Sequence, residues 1–194
     1  MARFAQKSRT TKETSVQVKL QLEGNRDIQI NTQVPFFDHM LTLLAFHAGF
    51  DLTIQAMGDT LVDDHHTVED VGIVFGQAFL EALGDKVGLN RYGVSYLPMD
   101  EVLSRCVIDI SNRPYLSYKT TYKRNSIGGL SLENVQEFMK SFAMEARITL
   151  HLETLYGDND HHKVESLFKA LGRALKEAIR VDGTTISSTK GSLS

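Results

Sequence analysis

The sequence predicts an α+β fold, a two-layer sandwich built from a tandem internal repeat of β-β-α-β-α units. Two observations support this prediction: a motif that occurs twice, and an order of elements that recurs in both halves of the 194-residue chain. The motif H-H-x-x-E stands at residues 65–69 and again, 96 positions later, at residues 161–165. Beyond the motif, the same offset pairs identical residues: Gly76 with Gly172, Ala78 with Ala174, Glu81 with Glu177, and Ala82 with Ala178. An internal duplication accounts for these matches.

The individual elements follow from hydrophobic periodicity, which alternates along strands and recurs every three to four residues along helices. In the first half it predicts strands at 15–23, 27–34 and 50–57 and helices at 36–47 and 65–83. In the second half it predicts strands at 102–110, 115–122 and 147–155 and helices at 132–145 and 161–179. The turn signal Gly24-Asn25 predicts that the first two strands form a hairpin.

The two halves are expected to share one core. Each predicted helix has one apolar stripe and needs a sheet to cover it, so the halves should lie side by side. We therefore expect a single domain over residues 1–194, made of two pseudo-repeats at about 10–95 and 96–185 and a short C-terminal tail. The tail from residue 182 is rich in Gly, Ser and Thr, which is typical of a flexible terminus.

Composition argues against several classes of protein. Hydrophobic residues make up 42% of the chain and charged residues 23%, which is ordinary for a globular protein and not for a disordered one. No apolar run approaches the ~18–20 residues that span a bilayer, and the polar N-terminus lacks the apolar core of a secretory signal. A single cysteine, Cys106, fits a reducing cytosol, so we expect a cytoplasmic protein. A net charge of −3 without a long basic stripe argues against nucleic acid or a membrane as partner.

The duplicated motif has the spacing of a metal-binding pair. Positions i and i+4 of a helix lie on one face, so each motif presents one imidazole nitrogen and one carboxylate oxygen to a single divalent ion. The neighbouring histidines, His66 and His162, are turned by ~100° and should serve a second ion or another element. His39 and His151 could complete two sites of three histidines and one glutamate each. Such a nitrogen and oxygen set without thiolate suits Mn, Fe(II), Co or Zn.

Structural roles stay open for several of these residues. One histidine pair at a helix start is by itself more typical of surface or capping chemistry, and the second matched motif is what favours metal binding. His47 could face the core, and the pair Phe36-Phe37 is typical of core. Four aspartates could orient imidazole N–H groups or simply be acids that the helix dipole favours; they are Asp63, Asp64, Asp158 and Asp160. Three isolated basic residues are, taken alone, typical of a solvated surface: Arg91, Arg113 and Lys190.

With these motifs the chain resembles the imidazoleglycerol-phosphate dehydratase family, the lyases of histidine biosynthesis. The resemblance covers nearly the full length. Its most specific parts are the two motif blocks at residues 63–70 and 157–169. The other segments that show it are 9–14 (RTTKET), 37–41 (FDHML), 90–93 (NRYG), 113–115 (RPY) and 188–191 (STKG).

The resemblance implies a hydro-lyase that converts D-erythro-imidazole glycerol phosphate, a small phosphate ester, into imidazole acetol phosphate and water. It implies two Mn²⁺ ions per active site, bridged by the substrate's ring as imidazolate, so that the ring can act as an electron sink for the neighbouring hydroxyl. The implied metal ligands are His39, His65, His66, Glu69, His151, His161, His162 and Glu165. The implied substrate contacts are Glu13, His47, Arg91, Arg113, Lys169, Ser188 and Lys190.

The resemblance also implies roles beyond ligation. Glu13 would be the acid–base group. Ser188 and Lys190 would order over the substrate phosphate together with the two arginines, which gives the tail a function. The family implies a homo-oligomer of 24 subunits with active sites between subunits, whereas the residues alone indicate only that ligands from separate elements must converge.

Two other functions could use the same ligands. A two-metal phosphate-ester hydrolase would attack with a metal-bound hydroxide, would release inorganic phosphate and would need no imidazole in its substrate. A non-catalytic assembly would use the metals only to join subunits, and it would leave Glu13 and Lys190 without a task.

Overall fold

Within residues 3–193, which the computed structural model describes, the chain forms ten strands and four helices. None of these helices is both long and apolar enough to cross a membrane. The elements, in chain order, are β1 (Phe4–Thr10), β2 (Thr14–Gln21), β3 (Ile28–Asn31), α1 (Pro35–Ala48), β4 (Asp51–Gly58), α2 (His65–Leu83), β5 (Tyr92–Met99), β6 (Val102–Asp109), β7 (Tyr115–Lys119), β8 (Ser126–Ile127), β9 (Leu130–Ser131), α3 (Glu133–Glu145), β10 (Thr149–Tyr156) and α4 (Asp160–Ala178).

Eight of the strands form two four-stranded sheets with the same internal order. The first sheet has the order β1-β2-β4-β3 and the second β5-β6-β10-β7. In both sheets the first three strands of this order pair antiparallel, and the last pair is parallel. The predicted α+β repeat of β-β-α-β-α units is therefore confirmed, and each unit begins with one more strand than the prediction contained.

The two additional strands, β1 and β5, lie at sheet edges and carry little periodic signal. In β1 only Ala5 is buried, so apolar and polar residues do not alternate. In β5 only Gly93 is buried, and Pro98 near its end also weakens a strand pattern. An edge strand covers less of the core than a central one, and its sequence is correspondingly less constrained.

The predicted hairpin between residues 15–23 and 27–34 is wrong, because β4 lies between β2 and β3. Strand β3 runs parallel to β4, and helix α1 makes the crossover that a parallel pair needs. The segment predicted as a tight turn is held differently. The Asp51 carboxylate accepts hydrogen bonds from the amides of Asn25, at 2.7 Å, and Asp27, at 2.8 Å. This places β3 beyond β4, and α1 packs beside it.

The helices cover one face of the sheets and pair across the two halves. Helix α2 packs against α3, and α4 packs against α1. Two glycines matched in the duplication allow these contacts: a Cβ at Gly76 would lie 2.8 Å from the carbonyl oxygen of Phe142, and one at Gly172 would lie 2.4 Å from that of Leu44. One continuous core rich in phenylalanine results. Each half therefore covers part of the helices of the other.

Candidate active site

The first motif begins helix α2 and forms the pair that its spacing predicts. The Nε2 atom of His65 lies 4.0 Å from Oε2 of Glu69, and both side chains are about two-fifths exposed. The other ring nitrogen of His65, Nδ1, lies 3.0 Å from Oδ1 of Asn134 on helix α3. Because an amide oxygen only accepts, Nδ1 donates this bond and leaves Nε2 able to bind a cation. A residue of the second half thus orients a candidate ligand of the first.

The second histidine of this motif lies beside Glu13. Nδ1 of His66 is 3.1 and 3.2 Å from the carboxylate oxygens of Asp59 and 3.9 Å from Oε2 of Glu13. The hydrogen bond to Asp59 is the main reason why the pKa of His66 is raised above 6.5, and the charge of Glu13 acts in the same direction. Glu13 lies in the turn between β1 and β2, with its side chain 57% exposed. The structure therefore places the predicted acid–base residue next to a predicted metal ligand.

The second motif begins helix α4 and gathers more partners. Nε2 of His161 lies 3.2 Å from Oε2 of Glu165, and the same oxygen is 3.9 Å from Nε2 of His39 on α1. Lys169, one turn further along α4, binds the other carboxylate oxygen of Glu165. Burial acts to raise the pKa of Glu165, but the hydrogen bond and charge of Lys169, together with those of His161, outweigh it and lower the pKa. Four of the predicted site residues therefore lie together here.

A carboxylate that sequence reasoning missed orients His162. Nδ1 of His162 lies 2.8 Å from Oε2 of Glu101, which stands in the turn between β5 and β6. This hydrogen bond, followed by one from the amide of Asn159, lowers the pKa of Glu101 to about 2. Asp59 and Asn134 play the same part at the first motif. No periodicity or motif marks these three residues, because each meets its histidine only in the folded chain.

The four aspartates beside the motifs bind backbone amides, a serine hydroxyl and lysines instead of the imidazole rings. Asp64 accepts hydrogen bonds from the amide and the hydroxyl of Ser131, at 2.7 and 2.6 Å. Asp160 accepts from the amides of Lys123 and Arg124, both at 2.8 Å. The matched positions thus tie the start of each motif helix to the segment between β7 and α3. The other two are Asp63, which accepts from the amide of His65, and Asp158, which pairs with Lys123.

The two predicted site histidines not yet described, His47 and His151, lie on α1 and β10. His47 in the last turn of α1 is half-buried and does not belong to the core. Burial is the largest cause that lowers its pKa below 6.5, and the charge of Lys169 on α4 adds to it. His151 is exposed on β10, between two buried leucines, so it points away from the helices. Its ring lies 5.9 Å from that of Tyr115.

The separation of the paired donor atoms is compatible with a single metal ion. Ligand atoms about 2.1 Å from the same ion can lie at most about 4.2 Å apart, and the pairs in the two motifs are 4.0 and 3.2 Å apart. Their imidazole nitrogen and carboxylate oxygen suit Mn, Fe(II), Co or Zn. Across residues 3–193, however, no group of three or more His, Cys, Asp or Glu side chains could hold an ion. Within one chain, each motif therefore brings only one histidine and one glutamate within reach of a common ion.

A cavity of about 700 Å³ brings the predicted phosphate contacts together; it is lined by Arg91, Arg113, Ser188 and Lys190, among others. Arg91 is buried, and its Nε and Nη2 donate to Asp109 at 2.6 and 3.0 Å, which satisfies the buried guanidinium. The hydrogen bond to Asp109 is also the main cause that raises the pKa of Arg91. Nη1 of Arg91 donates to the carbonyl oxygen of Ser187 at 2.7 Å, so the tail packs against this arginine. None of the motif residues lines the cavity.

Comparisons with known proteins agree on one family. The family model described as imidazoleglycerol-phosphate dehydratase matches residues 32–175. A relative of that description from Exiguobacterium sp. is 54% identical over 97% of both chains, and one from Magnetococcus marinus is 52% identical over the whole of both.

The crystal structure of imidazoleglycerol-phosphate dehydratase from Staphylococcus aureus has a TM-score of 0.84 and 42% identity, over 92% of this chain and 99% of that one. The crystal structure from Pyrococcus furiosus, in complex with (S)-C348, has a TM-score of 0.85 and 37% identity, over 96% of this chain and 100% of that one. The chain belongs to the imidazoleglycerol-phosphate dehydratase family, the hydro-lyases of histidine biosynthesis.

Proposed function

We propose that this chain removes water from D-erythro-imidazole glycerol phosphate and so forms imidazole acetol phosphate. The observation that supports this most directly is the repeated pair of imidazole nitrogen and carboxylate oxygen, 4.0 and 3.2 Å apart, at the start of two helices. Glu13 lies 3.9 Å from His66, next to the first pair. The site thus offers cation ligands beside a group that can transfer a proton, and loss of water from an unactivated carbon needs both.

The family is metal-dependent, and the proposed metal is Mn²⁺, with two ions in each active site. When bound, the ions supply electron withdrawal from the substrate's imidazole ring, which eases loss of the neighbouring hydroxyl. The proposed ligands are His39, His65, His66, Glu69, His151, His161, His162 and Glu165. Three of these histidines donate a hydrogen bond from Nδ1, to oxygen atoms of Asn134, Asp59 and Glu101. These bonds support the assignment, since they leave Nε2 of each ring for the cation.

Glu13 is the proposed acid–base group. Its carboxylate lies in an exposed turn beside the first motif, so it can reach a substrate bound there. Being exposed, the carboxylate is not buried among apolar groups. In the reaction one C–H bond and one C–O bond of the substrate break, and the proton and the hydroxyl leave as water. Glu13 would move the proton in this exchange.

The remaining predicted contacts would hold the substrate at its two ends. His47 and Lys169 lie at the second motif, near the imidazole end of the proposed substrate. The cavity that contains Ser188 and Lys190 would take the phosphate. Asp109 holds Arg91 in place, whereas the side chain of Arg113 is 57% exposed and can turn towards two phosphate oxygens.

The active sites are proposed to form between copies of the chain, in a homo-oligomer of 24 subunits. The incomplete coordination sets within residues 3–193 support this arrangement. The outer face of the second sheet also supports it, because four large side chains there are at least half exposed: Tyr92, Val94, Tyr96 and Tyr115. Exposed aromatic and apolar surface of this kind is typical of an interface. His151 lies on the same face, where a second copy would bring it partners from another chain.

Metal analysis and a dehydration assay on one preparation test the proposal. Mn²⁺ should stimulate formation of imidazole acetol phosphate by the wild type, and Glu13→Gln should keep metal and substrate binding but lose most turnover. Release of inorganic phosphate without dehydration would indicate a phosphate-ester hydrolase instead. A metal-loaded wild type without turnover would indicate that the metals only join subunits. Full activity of Glu13→Gln would remove this residue from the mechanism.

A further inference from the structure

We propose that Asp70 is a positioning residue that fixes the Glu13 carboxylate relative to helix α2. This inference rests on the proposed function of Glu13 and adds to it the part played by the segment at residues 9–14. It is supported by three sets of contacts: those within the turn between β1 and β2, those that join both ends of this turn to Asp70, and those of Glu13 with the first motif.

The turn is closed by the side chain of Thr11. Its Oγ1 accepts hydrogen bonds from the amides of Glu13, at 3.1 Å, and Thr14, at 3.0 Å. The amide of Thr11 in turn donates to the carbonyl oxygen of Thr14 at 2.9 Å. Threonine in such a place forms a local side-chain turn that sets the backbone of the residues between. The backbone at Glu13 is thereby fixed within the turn.

Asp70 binds both ends of the same turn. Its Oδ1 accepts from Nε of Arg9, near the end of β1, at 3.0 Å, and its Oδ2 accepts from Oγ1 of Thr14, the first residue of β2. Asp70 is 7% exposed and Thr14 4% exposed, so the bond between them is shielded from water, whereas the side chain of Arg9 is 45% exposed. A buried carboxylate needs such partners, and bonds to a charged acceptor are about twice as strong as neutral ones. The turn is therefore tied to α2 as a unit.

Asp70 directly follows Glu69, a proposed metal ligand, on α2. The helix that orients His65, His66 and Glu69 therefore also holds the turn that carries Glu13. The 3.9 Å separation between Oε2 of Glu13 and Nδ1 of His66 follows from this arrangement. Without Asp70 the turn would lose both of these bonds to α2. It would keep its internal hydrogen bonds and the strand pairing at its ends, and the exposed residues between them would open more readily. A displacement of about 1 Å at a reacting group can lower a rate by about 100-fold.

The test compares Asp70→Asn in the wild-type and the Glu13→Gln backgrounds. Asparagine keeps the size of the side chain but removes the charge that Arg9 binds. In the wild-type background kcat should fall by about 10- to 100-fold, with KM and bound Mn²⁺ unchanged. In the Glu13→Gln background the same change should lower the remaining rate by less than about twofold, because residues that act as a unit are not additive. Hydrogen exchange at the amides of Glu13 and Thr14 should become faster.

A matched control is provided by an ion pair that joins the same two elements, β1 and α2. Lys7 on β1 pairs with Glu81 on α2, away from the turn. Glu81→Gln should leave kcat and the exchange of both turn amides unchanged. Thr11→Val provides a second route if Asp70→Asn fails to fold, since Thr11 lies outside the core. It removes the acceptor within the turn and should likewise lower kcat only where Glu13 is present.

The outcomes separate the two proposals. Full activity of Glu13→Gln would overturn the role of Glu13 itself. If Glu13→Gln loses turnover, an equal loss from Asp70→Asn in both backgrounds, or no loss in either, would overturn the positioning role alone. A fall in bound Mn²⁺ with unchanged exchange at the turn would also overturn it, because Asp70 would then act through Glu69.

Discussion

Replacing Gly172 by alanine should force helices α1 and α4 apart. A Cβ at this position would lie 2.4 Å from the carbonyl oxygen of Leu44, and real Cβ atoms essentially never come within 3.0 Å of a heavy atom from another segment. Helix α1 must therefore retreat by at least about 0.6 Å, since the interior is close-packed. The contacted atom belongs to the backbone of a helix, so no side-chain rotation can relieve the contact.

This displacement has a cost in stability and a consequence for the site. Overpacking of a core contact costs about 1–3 kcal/mol, and each kcal/mol lowers the melting temperature of a chain of this size by about 2–4 °C. A decrease of roughly 2–12 °C is therefore expected. His39 on α1 and Glu165 on α4 are 3.9 Å apart. The same movement should stretch this pair and weaken Mn²⁺ binding by about tenfold.

Thermal unfolding at one protein concentration and titration of the metal-free protein with Mn²⁺ measure the two effects. Gly183→Ala is the matched control, because its Cβ would meet no atom closer than 3.7 Å and its φ is not positive. Both quantities should stay at the wild-type level in the control. If Gly172→Ala also leaves the melting temperature and the Mn²⁺ affinity unchanged, the proposed close contact between α1 and α4 does not hold the site together.

Three further predictions concern the substrate contacts and the assembly. The pKa of His47 lies below 6.5 in the folded chain, so the unfolded chain binds the proton first and the free energy of unfolding decreases as the pH drops below 6.5. Between pH 7 and 5 the urea midpoint of the wild type should therefore decrease more than that of His47→Gln. An equal decrease in both proteins would contradict this. Arg113→Lys should raise KM by about tenfold with kcat nearly unchanged, because a lysine ammonium lacks the planar pair of N–H groups that binds two phosphate oxygens together. A decrease in kcat alone would argue against a phosphate contact. Metal removal by a chelator should reduce the particle size measured by light scattering, because metal ligands at a subunit interface couple metal binding to assembly. A large particle of unchanged size would argue against active sites between subunits.

The pairing of histidine with glutamate in the two motifs could be predicted from the sequence because it depends on local geometry. A spacing of four residues places His161 and Glu165 on one face of any helix that contains them, and the structure shows them 3.2 Å apart. The repeated order of elements could be predicted for the same reason, since periodicity is a property of each segment. The match of Gly76 with Gly172 also pointed to a duplication, although not to the contacts that both glycines permit across the halves.

Strand order and ligand orientation were decided only by the tertiary structure. The segments at 15–23 and 27–34 are neighbours in the chain, yet β4 separates them, because pairing depends on where α1 packs. Asn134 meets His65 across 69 positions of sequence, and Asp70 meets Arg9 across 61. A hydrogen-bond partner at that distance is selected by the packing of whole helices and strands. The sequence therefore determined which nitrogen and oxygen atoms share a helix face, and the packing determined which neighbours hold those atoms in place.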